Sequence, residues 1–465
     1  MLQRNMNNRL TKLSASVVTA FIIATLLYIK SPSVYWVGFC NLFSLLFLGN
    51  AVRIIQGKWL TPFLLISVCL YVFHSGHLWL ALLHDNPNDF LVSFGLEYQT
   101  VNSIYILRTY SEITVLLTIF METGVLFLKG CVNRSLINSG DQICATKVFK
   151  EIFILLYAVA MFFELKRAVS VAATSYGEGY HYGGAGEMLI ANMVDALLLF
   201  FLFINRARKK EFKFYLMLQL FRTLFIMFFV GNRGASVIYL LVTLFVVSNY
   251  SYLSLDKKRM RNIIICLLAF LLVALPFISA TRGGTREKIA VSEFVNDNNP
   301  LESFLQEFGG TAGNVFLTKD FVNAIGPSYG VQIIGTSLTI VPASTYIFGD
   351  IITQNVSIAN MLNKYSNQQG LGGSLLSQMY FNFYGTIFLY ISIILISLLC
   401  VWCSNNLMLG CNSIYSTFIF LCLFSGLMTF VRGEWYDVVS QIKISIYISA
   451  LIYMTKNHLI YKLNL

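Results

Sequence analysis

About a dozen apolar runs, each close to the length of one bilayer crossing, follow one another along this chain of 465 residues. A helix rises about 1.5 Å per residue and a hydrocarbon core is about 30 Å thick, so roughly twenty apolar residues make one crossing. In lipid every backbone amide must be satisfied within its own segment, which makes helices the elements these runs form. The runs lie near residues 13–29, 33–52, 60–83, 110–128, 148–165, 187–205, 213–231, 235–252, 262–280, 376–400, 413–431 and 438–455. Hydrophobic residues make up 57% of the chain and charged residues 12%, too little charge for an ordinary soluble domain. The expected fold is an all-α polytopic membrane protein of about twelve transmembrane helices.

The net charge of +11 would suit nucleic acid, but the basic residues stand in short clusters between apolar runs, where they set topology. No nucleic-acid partner is expected. Arg4, Arg9 and Lys12 precede the first run, Arg53 and Lys58 follow the second, and Lys129, Arg134, Lys147 and Lys150 surround the fourth-to-fifth loop. "RARKKEFK" (206–213), "KKRMR" (257–261), Lys456 and Lys462 then fall on the same side again. That side is the cytoplasm by the positive-inside rule, which puts both termini inside. Three regions follow: membrane helices one to nine in 1–280, a large outward segment in 281–375, and helices ten to twelve in 376–465. The outward segment is expected to be partly helical and to lie on the membrane surface. No cysteine falls in an outward loop, so no disulfide framework is implied. The lone CxxC of Cys400 and Cys403 is expected to serve packing.

Arginines gather on the outward side, against the usual bias. "FFVGNRGASVIYLL" (228–241) places Arg233 at the mouth of a helical hairpin, "TRGGTREK" (281–288) carries Arg282 and Arg286, and "VRGEWYD" (431–437) carries Arg432 with Glu434 and Asp437. Each arginine stands in a turn that contains glycine, which lets a backbone approach a ligand, and a planar guanidinium suits paired contact with phosphate oxygens. A diphosphate clamp is the chemistry this pattern suggests. The alternative is that each arginine snorkels to headgroups or caps a helix.

"GNRGASVIYLL" (231–241) resembles the G-x-R-[AG] hairpin of the oligosaccharide repeat-unit (O-antigen) polymerases, the Wzy proteins, which include enterobacterial common antigen polymerase. "TIVPASTYIFGD" (339–350) is similar to the Pro-containing, aromatic-rich element of their periplasmic loop, and "QQGLGGSLLSQMYFNFYGTIFLY" (368–390) to the Gly-rich approach to the next span. "VRGEWYDVVSQI" (431–442) resembles their R-E-x-x-D element, with Gly433 standing between Arg432 and Glu434. The resemblance covers roughly the second half of the chain. It implies a GT-C-like glycosyltransferase of the bacterial inner membrane that acts at the periplasmic face. Its partners would be undecaprenyl-diphosphate-linked oligosaccharides as donor and acceptor, with membrane lipid around it and room for a chain-length regulator protein.

The chemistry requires stabilisation of charge on the departing diphosphate and a base for the attacking sugar hydroxyl. Arg233, Arg282, Arg432 and Arg286 are the candidates for the first role. Glu434 leads for the second, with Asp437, His181 in "GEGYHYGG" (177–184), Glu307, and His84 with Asp85 as further candidates. No DxD pair lies on the outer face, so neither metal nor other cofactor is expected. His74, His77, Glu122, Glu164 and Asp195 lie within or near spans and are expected to hydrogen-bond to neighbouring helices. Two other functions share parts of this pattern. A lipid-linked oligosaccharide flippase would show two similar halves, whereas this chain has one asymmetrically placed outward segment. An O-antigen ligase differs only in its acceptor.

Overall fold

A computed structural model of the chain describes residues 2–28, 32–97, 102–130, 143–173, 185–250, 299–341, 344–348, 357–366, 373–409, 413–455 and 459–462, with scattered residues between 262 and 274. Long helices come first: α1 (Leu2–Tyr28), α2 (Val34–Gln56), α3 (Pro62–Ala81), the shorter α4 (Pro87–Glu97) and α5 (Ser103–Phe127). They are followed by α6 (Lys147–Ala173), α7 (Ala185–Ile204), α8 (Lys209–Phe225), closed by a π-helical turn at Ile226–Val230, and α9 (Arg233–Tyr250). Short helices then follow as α10 (Pro300–Gly309), α11 (Thr311–Ile325), α12 (Val331–Leu338), α13 (Ser344–Phe348), α14 (Ile358–Ser366) and α15 (Leu375–Phe383). The last helices are α16 (Phe388–Leu409), α17 (Ile414–Phe430) and α18 (Trp435–Met454). Among the described residues the β structure is one antiparallel pair, β1 (Ile143–Ala145) with β2 (Ile460–Lys462), Cys144 opposite Tyr461.

The chain is an all-α polytopic membrane protein. Among the described residues, α1, α2, α3, α5, α7, α8 with its π turn, α16 and α18 are long and apolar enough to cross a membrane, and α9 and α17 are shorter apolar helices. α6 has the length but carries six charged residues. The expected crossing at 262–280 falls mostly outside the described residues. That at 376–400 is not one helix: α15 stops at Phe383 and α16 begins at Phe388. Gly385 between them adopts φ 76°, a left-handed conformation that ends the helical ladder. Hydropathy averages over a single glycine and so reads straight through this break.

The fold divides into two compact units that interleave along the sequence. The first comprises Met1–Val132, Glu302–Leu409 and Leu427–Val439, the second Asn133–Leu301, Gly410–Gly426 and Ser440–Leu465.

In the first unit α5 packs against α1, α2, α3 and α16. Lipid tails are as apolar as leucine, so polar bonds and close packing fix the helices against one another. Asn41 of α2, fully buried, donates to Ser75 Oγ of α3 and Thr114 Oγ1 of α5, each at 3.0 Å, and accepts from Trp79 Nε1 at 2.8 Å. Glu122 of α5 accepts from Ser16 Oγ (2.5 Å) and Thr19 Oγ1 (3.1 Å) of α1. His74 and His77 are buried, His74 Nδ1 at 2.9 Å from Leu70 O and His77 stacked on Phe94 with centroids 3.8 Å apart. Cys400 and Cys403 are buried in α16.

The second unit is organised around a buried ion group. Arg222 of α8 meets Asp195 of α7 through Nε–Oδ1 (2.9 Å) and Nη2–Oδ2 (3.3 Å), and reaches Glu164 Oε1 of α6 through Nη1 (3.2 Å). Arg167 Nη1 closes on Glu164 Oε2 at 2.7 Å, and Tyr239 of α9 donates to Asp195 Oδ2 at 3.0 Å. Two cations and two anions cancel, and each of the four residues is at most 5% exposed. Removing one partner strands an uncompensated charge, which typically costs about 3–5 kcal/mol. The Arg222→Met variant should therefore lose its monodisperse peak in detergent at a clearly lower temperature than wild type, whereas a melting temperature within the scatter of wild type would show that the group adds nothing.

Candidate active site

The turn between α17 and α18 carries three charged candidates within the first unit. α17 ends at Phe430, and Arg432 N donates to Thr429 O at 3.1 Å as the chain leaves it. Asp437 is the third residue of α18, and its Oδ2 accepts from Glu434 N at 2.8 Å, the back-reaching half of a capping box. Gly433 makes this possible, because a Cβ there would collide with Asp437 Oδ2. The residue that separates Arg432 from Glu434 is therefore the one that lets Asp437 fold back onto the turn.

Glu434 is held from the other side by α14. Its Oε1 accepts from Ser357 Oγ at 2.9 Å and from Ala359 N at 2.8 Å. Ser357 also caps α14, accepting from Asn360 N at 3.2 Å, so the carboxylate sits where a helix favours negative charge. Gly373 backs onto the Glu434 side chain so closely that a Cβ would strike its Cγ. Burial pushes the Glu434 carboxyl up to about 7, against the lowering pull of the Ala359 N–H and the Ser357 hydroxyl, with the neighbouring Asp437 charge adding to the rise.

Trp435 fixes the turn to a buried amide network. Its N–H donates to Gln378 Oε1 (2.7 Å) and its indole Nε1 to Ser337 Oγ (2.9 Å). Gln378 Nε2 and Asn382 Nδ2, one turn apart on α15, both donate to Gln332 Oε1, at 3.2 and 3.1 Å, and Ser328 Oγ donates to Asn382 Oδ1 at 2.7 Å. Gln332, Gln378 and Asn382 are buried, so each lost bond would leave an unsatisfied amide in the interior. None of the three was singled out from the sequence. The available signal was two amides at i and i+4 in a largely apolar helix.

Arg432 lies over two aromatic faces, its Cζ 5.6 Å from the centroid of Phe73 and 5.8 Å from that of Phe308. The two rings meet edge to face at 5.0 Å. A guanidinium is attracted to the faces of aromatic rings, and the two rings position Arg432 at the turn.

Arg432, Glu434 and Asp437 thus share one turn of the first unit, where Asp437 is bonded to Glu434 N. Arg233 is the first residue of α9 in the second unit, after a turn in which Gly231 takes φ 80° and Asn232 Oδ1 accepts from Ala235 N at 3.2 Å. Its side chain lies outside the described residues, as do His181, Arg282, Arg286 and the side chain of Glu307. His84 Nε2 stands 3.6 Å from Glu302 Oε1 and stacks on Phe90 at 4.2 Å.

A protein-family model described as O-antigen polysaccharide polymerase Wzy matches residues 13–464 of the chain. Comparison with curated proteins and with solved structures finds no match.

The raised Glu434 carboxyl makes stability depend on pH with a definite sign. An unfolded glutamate titrates near about 4.3, and the folded one near about 7. The fold therefore binds a proton that the open chain releases. That contribution is complete below the unfolded value and is lost as pH rises through the folded one. Melting of detergent-solubilised protein between about pH 5 and 8 should show wild type losing stability relative to Glu434→Gln, whose amide does not titrate. Parallel curves would mean that Glu434 titrates at its ordinary value.

Proposed function

The chain belongs to the O-antigen polysaccharide polymerase Wzy family, and from that premise we propose where and how it lengthens its glycan. The family polymerises O-antigen repeat units, and the apolar helices make this a multi-pass membrane enzyme. In the proposed reaction the growing glycan leaves its undecaprenyl diphosphate carrier and joins the non-reducing end of a new lipid-linked repeat unit. This takes place at the periplasmic face of the inner membrane, with both termini in the cytoplasm and residues 281–375 outside. The densest basic clusters, at 206–213 and 257–261, fall on one side and support that orientation. A compartment without nucleotide sugars needs a lipid-linked donor of this kind, as GT-C-like enzymes use.

Glu434 acts as the general base. Its carboxylate takes the proton of the acceptor hydroxyl, whose oxygen attacks the anomeric carbon. The bond from that carbon to the diphosphate oxygen breaks, and its electron pair leaves with the diphosphate. Arg432 stabilises the departing charge, so no metal is needed. Asp437 positions the turn through the Glu434 N–H, and His181 is the alternative base. The observation that carries this reading is the Glu434 carboxyl itself: half-buried, held by α14, two residues from Arg432 and pushed up to about 7, where a base works best near neutral pH.

The test is incubation of purified protein with its lipid-linked repeat unit alone, which should give a ladder of lengthened glycans. Glu434→Gln should lower the rate by about a hundred- to ten-thousand-fold and abolish the limb of the pH–rate profile that rises through about 7. A variant that keeps that limb would reduce Glu434 to a tether for α14.

The same assay tests the role given to arginine. Turnover should survive EDTA, because guanidinium groups carry the diphosphate charge. Loss of turnover on chelation, restored by a divalent ion, would assign that charge to a metal.

A further inference from the structure

The second unit contains an open groove of about 680 Å³ between α6 and α8, within the size range of small-molecule sites. One end is basic. Lys147 and Lys150 lie in the first turn of α6 and Lys210 in the first turn of α8. The rest is apolar, walled one and two turns further along by Leu155 and Ala158 of α6 and Phe214 and Tyr215 of α8. Leu155 is 66% exposed and Phe214 49%, so the walls open onto the hydrocarbon.

The ion pairs at the basic end divide the lysines into two kinds. Lys150 Nζ donates to Glu211 Oε1 at 2.8 Å and Arg208 Nη1 to Glu211 Oε2 at 3.0 Å, which ties α6 to α8 and satisfies that carboxylate. Lys147 meets Glu151 only at 3.8 Å, with both side chains exposed, a pair of little worth. Lys210 is exposed on the opposite wall. Four basic side chains face two acidic ones, so the mouth remains positive above an apolar slot. A ligand that matches both ends has an anionic head and a hydrocarbon tail.

We propose that this groove holds one anionic phospholipid, its phosphate between Lys147 and Lys210 and an acyl chain along Leu155, Ala158 and Phe214. The charge of the mouth selects anionic over zwitterionic headgroups, and exposed lysines at a membrane surface act additively in this respect. The site is independent of the catalytic turn and of the reaction assigned to it.

Native mass spectrometry of the full-length protein, supplied in detergent with phosphatidylglycerol or separately with phosphatidylcholine, tests the proposal. Wild type should retain phosphatidylglycerol preferentially. The double variant Lys147→Gln/Lys210→Gln changes exposed side chains only, and should lower phosphatidylglycerol affinity on the order of tenfold while leaving phosphatidylcholine unchanged. Ala158→Phe keeps the charge but fills the slot, and should lower retention of both lipids. Equal retention of the two lipids by wild type, or wild-type retention of phosphatidylglycerol by either variant, would overturn the proposal.

Discussion

Polar side chains inside a hydrocarbon layer cannot fall back on water, and the helix packing of each unit follows from where they find partners instead. In the second unit Arg222 has carboxylates on two different helices, so α6, α7 and α8 are fixed to one another through a single guanidinium. In the first unit the same work is done without net charge by Asn41, which binds α2 to α3 and α5 at once. Apolar contact between helices is nearly equivalent to contact with lipid, so it confers little register. A hydrogen bond at 3 Å tolerates no sliding, and the ion group tolerates less because every displacement would expose a buried charge.

That rigidity extends to the turn between α17 and α18. A turn at the end of two helices would ordinarily be mobile, since the last carbonyls and first amides of a helix have no partners within it. Here Trp435 N–H, one of those first amides, is given to Gln378, whose own amide is locked to Gln332 and whose neighbour Asn382 shares the same acceptor. The short helices α12, α14 and α15 therefore form a frame that holds Glu434 on one side and the Trp435 indole on the other. Anchors on packed helices keep the Glu434 carboxylate in one place.

The sequence made the crossings legible because twenty apolar residues in a row have few alternatives, and helices occupy eleven of the twelve expected positions, the twelfth lying mostly outside the described residues. It hid the break at Gly385, since one residue decides it and the average does not register one residue. It also gave no sign of α4, whose eleven residues mix polar and apolar side chains. At the turn, Arg432, Glu434 and Asp437 stood out because charges are rare in such a chain and adjacent charges are rarer. Ser357 and Gln378 did not, being common polar residues whose role is set by partners 77 and 57 positions away. Arg222 stands in the sequence as one charge inside an apolar run. Its partners Glu164 and Asp195 lie 58 and 27 positions away, on other helices, so nothing local to it marks the group.

The two carboxylates of the turn differ in what fixes them. Asp437 receives its hydrogen bond from three residues upstream, within the first turn of its own helix, so its geometry is local and its oxygen already committed. Glu434 is held by a hydroxyl and an amide from a distant segment, donors that stabilise the ionised form. Alone they would depress its pKa. The same packing that brings α14 close enough to donate also removes water, which acts in the other direction and prevails. A carboxylate poised near neutrality therefore needs no special residue in contact with it. It needs donors that prevent burial from neutralising it outright and burial enough that the donors do not make it a strong acid, and the approach of α14 to this turn supplies both.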